Sequence, residues 1–127
     1  MFELEKIDHV AILVRDIDAS VKWYKETLGL DHYFKGEWDG VPTMIGKGQT
    51  CIALFKTSSG NPNPAPDNNT IKMLHLAFKA DKGNFLKAQQ ELTAKNINFS
   101  FQDHEIARSI YFKDPDGHMI EITTYEI

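Results

Sequence analysis

Two stretches decide the fold: Ile7-Asp8-His9-Val10-Ala11-Ile12 and Met73-Leu74-His75-Leu76-Ala77-Phe78. Laid over one another, they put a histidine in the same slot of an apolar run, each followed by an aliphatic residue and then alanine. His75 lies 66 positions after His9. The elements expected downstream of each run also come in the same order, which is the mark of an internal duplication.

The first half reads as a strand over Ile7–Val14, rich in Ile and Val. A helix follows, capped by Asp16 or Asp18 and stopped at Gly29, with Ile17, Val21, Tyr24 and Leu28 on one apolar face. Strands over Asp31–Lys35, Thr43–Gly46 and Thr50–Lys56 complete the unit, separated by Gly-containing turns. The stretch from Ser58 to Thr70 holds three of the five prolines and no large apolar residue, so it is expected to be a surface loop. The second half repeats the order: a strand over Lys72–Ala80, then a helix from Asp81 to about Lys95 with Phe85, Leu86, Gln89 and Leu92 on one side. Strands over Phe99–Gln102, Ser109–Lys113 and Met119–Thr124 follow. The last two are joined by Asp114-Pro115-Asp116-Gly117, with Pro and Gly at turn positions. The expectation is an α+β protein of two βαβββ modules, with paired curved mixed sheets around a cleft. It forms a single domain over 1–127: module one 1–57, loop 58–70, module two 71–127.

Composition narrows the partners. A chain of 127 residues with 42% hydrophobic and 25% charged residues can bury a real core. The net charge of −4, with Arg15 and Arg108 as the two arginines, argues against nucleic acid, which asks for a basic face to release counterions. The apolar stretch around Val10–Val14 is far too short to span a membrane, and the N-terminus lacks a signal-peptide core. One cysteine, Cys51, cannot form an internal disulfide, so a reducing compartment, the cytoplasm, is expected. In its buried-looking strand Cys51 reads as inert packing.

The candidate chemistry lies in three side chains. Taken singly, each histidine reads as a core residue with a hydrogen-bonding neighbour; two at repeat-equivalent positions fit that reading less well. Glu121 stands between Ile120 and Ile122, so strict alternation puts it on one face and the isoleucines on the other. Either the isoleucines are core and Glu121 is a solvated rim residue, or Glu121 faces the cleft. A carboxylate within a cleft is costly unless paired or bound to a cation. His9, His75 and Glu121 together would hold one divalent metal and leave positions open, whereas a closed structural zinc site asks for four protein ligands. His118 falls roughly 10 Å along the strand from Glu121 and reads as a surface residue. Trp23 and Tyr24 read as helix packing, and Phe34 and Trp38 equally as cleft lining or exposed loop.

Strand one with His9, the helix Ser20-Val21-Lys22-Trp23-Tyr24-Lys25 leading to Leu28-Gly29-Leu30, then His75 and the segment Tyr111 to Glu121 together resemble the vicinal oxygen chelate superfamily. That group includes glyoxalase I, fosfomycin thiol transferases, extradiol dioxygenases, methylmalonyl-CoA epimerase and metal-free bleomycin-binding proteins. The resemblance implies the paired βαβββ fold and metal ligands at His9, His75 and Glu121, for iron, manganese, nickel or zinc. It also implies a small-molecule substrate and a homodimer in which modules of two chains share a cleft.

Among these groups, glyoxalase I and the epimerase place a fourth ligand where alignment of Ile52-Ala53-Leu54 with Ile120-Glu121-Ile122 puts Ala53. An alanine methyl binds no metal. Fosfomycin transferases use three ligands, but carry a threonine where this chain has Ala11, and continue past the Glu with basic residues. The extradiol signature is matched by His104, Ile110-Tyr111, Asp114-Pro115, Gly117 and Glu121, with Gln102 as its one departure. By that resemblance Tyr111 and His104 are catalytic; as plain structure they read as a sheet aromatic and an exposed loop residue. The acid–base histidine of the dioxygenases finds only Gly60 and its neighbours, and His32 is too far upstream. The leading expectation is a metal-dependent enzyme on a small oxygen-rich molecule, closest in signature to extradiol dioxygenases. A glyoxalase-like lyase or a fosfomycin-type thiol transferase is the alternative, and a non-catalytic drug- or metabolite-binding protein the contrast from another class.

Overall fold

A computed structural model describes all residues from Met1 to Ile127. The chain forms two compact units, Met1–Asn63 and Pro64–Ile127, each a four-stranded mixed sheet with one helix. In the first unit β1 (Val10–Val14) leads into α1 (Ile17–Leu28), then β2 (Asp31–Tyr33), β3 (Thr43–Lys47) and β4 (Thr50–Lys56), in the sheet order β1-β4-β3-β2. In the second, β5 (Leu76–Lys79) leads into α2 (Lys82–Ala94), then β6 (Ser100–Asp103), β7 (Arg108–Lys113) and β8 (Met119–Thr124), in the order β5-β8-β7-β6. The first strand of each unit pairs in parallel with its last, and the other pairings are antiparallel. The α+β class and the duplicated βαβββ order are thus as the sequence implied.

Local chemistry fixes the ends of the helices. Asp16 caps α1 by accepting the Ala19 N–H at 3.0 Å. Gly29 closes it in the left-handed region, φ 69°, where a side chain would add strain. Asp81 caps α2 by accepting the Asn84 N–H at 2.7 Å. Each helix covers the β-branched face of its own sheet. The first unit buries Val14, Tyr24, Leu30, Ile45, Ile52 and Leu54; the second buries Phe85, Leu92, Ile110, Phe112, Ile120 and Ile122. No helix is long and apolar enough to cross a membrane.

Three expectations need correction. The first strand of each unit begins at Val10 and Leu76, shorter than expected, so His9 and His75 stand one residue before the ladder rather than mid-strand. The pairing Leu76↔Ile120 comes one step after β8 begins at Met119, so the partner strand offers little beyond it to pair with. On α2, Leu86 is exposed while Phe85 and Leu92 are buried, because the helix meets the sheet along a stripe too narrow to include it. Finally, β2 ends at Tyr33 rather than Lys35, and the β2–β3 connection holds a short 3-10 turn at Trp38–Gly40, where Trp38 and Asp39 take positive φ. No hydrophobic periodicity marks such a turn.

Truncating Phe112 to Ala should lower unfolding free energy by about 3–5 kcal/mol, the cost of deleting a large buried aromatic. Leu86→Ala should change it by less than about 0.5 kcal/mol, as for other surface positions. Urea denaturation followed by circular dichroism measures both; equal losses would contradict this packing.

Candidate metal and substrate site

Glu121 is placed by the turn that precedes it. Asp114, buried, accepts the N–H groups of Asp116 at 2.9 Å and His118 at 2.8 Å through its Oδ1. Its own N–H donates to the His118 carbonyl at 2.9 Å, and the Gly117 N–H donates to its carbonyl at 3.1 Å. Gly117 sits at φ 91°, conformationally cheap only for glycine. This closed turn delivers Met119 into β8 in a fixed register, with Tyr111 and Ala77 opposite Glu121 and Ser109 opposite Thr123.

Alternation then sorts the two faces. Ile120 and Ile122 pack on the α2 side, 1% and 7% exposed, yet Glu121 on the other face is itself only 8% exposed. It is therefore no rim residue. Its carboxylate is partnered on both oxygens: Oε1 lies 2.8 Å from His75 Nε2, and Oε2 accepts the Ser109 hydroxyl at 2.6 Å. The Ser109 Oγ also lies 2.9 Å from Thr123 Oγ1. Tyr111 shares this face. Its ring meets the His75 ring edge-on at 5.6 Å between centroids, and its hydroxyl is 3.0 Å from His104 Nε2. Burial, then the charge of Glu121, pushes the Tyr111 phenol above its usual range, so it stays protonated near neutrality.

In the first unit, His9 Nδ1 lies 2.8 Å from Asp8 Oδ2. A carboxylate on one imidazole nitrogen orients the other outward, as is common for metal-ligating histidines, although both groups are largely exposed and the pair adds little stability. The registers Ala11↔Ala53 and Ala77↔Glu121 each lie one step after the first parallel pairing of their unit. Ala53 therefore occupies the topological position of Glu121, and its neighbours across the sheet are Ala11 and Met44. Cys51 is a partly buried free thiol, raised in pKa by burial and then by Asp8, so it remains a weak nucleophile.

The structure thus brings together His75, Glu121, Tyr111 and His104 in one unit and orients His9 in the other. Within the single chain no three His, Cys, Asp or Glu side chains converge as a metal site. The donor set nonetheless fits a divalent cation: one imidazole and one carboxylate are already side by side, the carboxylate is dry and fixed, and imidazole with carboxylate suits iron, manganese, nickel or zinc. Sequence reasoning missed Ser109. Its one available signal was its place two residues before Tyr111, on the same face of β7. Phe34 and Trp38 are both largely exposed and contact each other edge-on at 5.6 Å. A cavity of about 510 Å³ beside them, between α1 and the β2–β3 connection, is lined by Lys22, Lys25, His32 and Phe34 among others, and by none of the expected metal ligands.

Known proteins share the sequence over most of the chain and share its fold. A "Metallothiol transferase FosB" of Staphylococcus epidermidis is 31% identical over 96% of this chain and 83% of its own length. A "Glutathione transferase FosA" of Serratia marcescens is 27% identical over 94% of this chain and 80% of its own. The crystal structure of a glyoxalase/dioxygenase from Nostoc punctiforme superposes with a TM-score of 0.80 at 28% identity, covering 96% of this chain and 92% of that one. With residues 6–122 matched by the family model as well, the chain belongs to the Glyoxalase/Bleomycin resistance protein/Dioxygenase superfamily.

Proposed function

We propose that this protein is a metal-dependent enzyme that activates a small oxygen-bearing electrophile for attack by a thiol. The observation that carries the reading is the pairing of His75 Nε2 with Glu121 Oε1 at 2.8 Å on a buried carboxylate. His75 and Glu121 would be two ligands of a divalent ion, iron, manganese, nickel or zinc. His9 would be the third, contributed by the same chain or by a second copy in a homodimer, so that the two units work as one domain. The metal, when bound, would supply Lewis-acid polarisation of the substrate oxygen. Tyr111, hydrogen-bonded to His104, would aim its phenol at that oxygen and donate to it as charge develops, the geometry of an electrostatic stabiliser. In the transfer itself a thiolate forms a carbon–sulfur bond while a carbon–oxygen bond breaks, and the released oxygen takes up a proton.

Thiol transfer is preferred over ring cleavage because relatives across nearly the whole chain are named as thiol transferases. Ala53 at the position equivalent to Glu121 speaks against the four-ligand arrangement expected of a glyoxalase. The extradiol reading keeps one specific support: His104 and Tyr111, the pair that its signature singles out, are bonded at 3.0 Å. The cytoplasm remains the expected location.

Calorimetric titration of the metal-stripped protein with manganese, nickel and zinc should show one site per chain. His9→Ala, His75→Ala and Glu121→Gln should each weaken binding by more than about 100-fold, beyond what losses outside the ligand set cause. A wild-type protein that binds none of these ions, nor iron(II) under argon, belongs instead with the non-catalytic binders.

With metal bound, thiols offered together with epoxides and related electrophiles should give thioether adducts detectable by mass spectrometry. Tyr111→Phe should lower kcat by about 100-fold with KM little changed, the size of a lost oxyanion donor. Oxygen uptake on catechols without any adduct would reverse the ranking of the two readings.

A further inference from the structure

A carboxylate can meet a metal through one oxygen or two, and the groups that hold its oxygens bias the choice. Ser109 is fully buried and has one hydroxyl proton to give. Its Oγ lies 2.6 Å from Glu121 Oε2, the short range of an O–H···O⁻ bond to a charged acceptor. Thr123 Oγ1 lies 2.9 Å from Ser109 Oγ and donates its own proton to the Arg108 carbonyl at 3.3 Å. The single Ser109 proton goes to the nearer and charged acceptor, Glu121 Oε2, rather than to Thr123. The cross-strand pairing Ser109↔Thr123 between β7 and β8 holds both hydroxyls on the face that carries Glu121.

We infer that Ser109 is a positioning residue that ties down Glu121 Oε2 and so presents Oε1 alone, beside His75 Nε2, as a one-oxygen donor to the metal. The inference rests on the metal reading above but concerns a residue outside the ligand set. Without the Ser109 hydroxyl, Oε2 would be left without its partner in a buried site, and the carboxylate would be free to turn and chelate through both oxygens. The coordination number of the bound ion would then rise.

The test uses the full chain, loaded with cobalt(II) as a visible probe and, separately, titrated with zinc against a chromophoric chelator. Ser109→Ala should weaken zinc binding about 10- to 100-fold, the usual effect of losing a group that orients a ligand. It should also diminish the cobalt d–d absorption, as expected when coordination number increases. Thr123→Val, one bond further out, should shift zinc affinity in the same direction by a smaller factor. If Ser109→Ala does not fold, Ser109→Cys, similar in size with a weak donor, should show the same spectral change to a lesser degree. A variant that folds and binds zinc as tightly as the wild type, with an unchanged cobalt spectrum, overturns the inference and leaves the metal reading intact. A wild-type chain that takes up neither ion overturns both. A fall in melting temperature without either metal effect would show Ser109 to be structural only.

Discussion

A carboxylate between two buried isoleucines is the constraint on which the second unit turns. Leaving Glu121 dry and unpaired would cost several kcal/mol, a sizeable share of the stability of a small protein. The fold meets this by partnering both oxygens, His75 on one and Ser109 on the other. Those contacts exist in only one register of β8. A slip by one residue would carry Ile120 or Ile122 to the Tyr111 face and drive the carboxylate into the α2 side of the sheet. The bonds inside the Asp114–Gly117 turn are therefore part of the site although none of them touches it.

Duplication has produced two sheets of one topology and unequal chemistry. In the second unit the face away from the helix carries Glu121, Thr123, Ser109 and Tyr111. In the first, the corresponding ladder positions are Ala11, Ala53 and Met44. The change from carboxylate to methyl at one equivalent step makes the first sheet a mostly apolar surface with His9 at its margin.

Much of the fold was legible because it rests on local rules. Asp16, Gly29 and Asp81 announce helix ends by the side-chain and backbone chemistry that caps them, and apolar runs bounded by turn residues located the strands to within a few residues. Ladder length was less legible, since where β1 and β5 begin depends on where their distant partners run out. Leu86 was misplaced because helical periodicity gives a face but not its width. In the site, the histidines and Glu121 stood out as polar groups in apolar runs. Ser109 did not, because a serine in a strand has no distinctive pattern and gains its role only through the β7–β8 register. The reaction was least legible of all. The segment from Ile110 to Glu121 builds a turn, a phenol and a buried, paired carboxylate, which serve several chemistries, so the extradiol pattern could match without fixing the reaction.

The polarity of the hydrogen bonds offers a further argument about that reaction. Around Glu121 the neighbouring groups act as donors: Ser109 gives its proton to Oε2, and Tyr111 is kept a phenol first by burial and then by the adjacent carboxylate. A phenol held below its own pKa stabilises negative charge on an oxygen but abstracts no proton. The Glu121 oxygens, already occupied by His75 and Ser109, are poorly placed to serve as a base. Groups of this kind hold and stabilise negative charge on an oxygen rather than remove a proton.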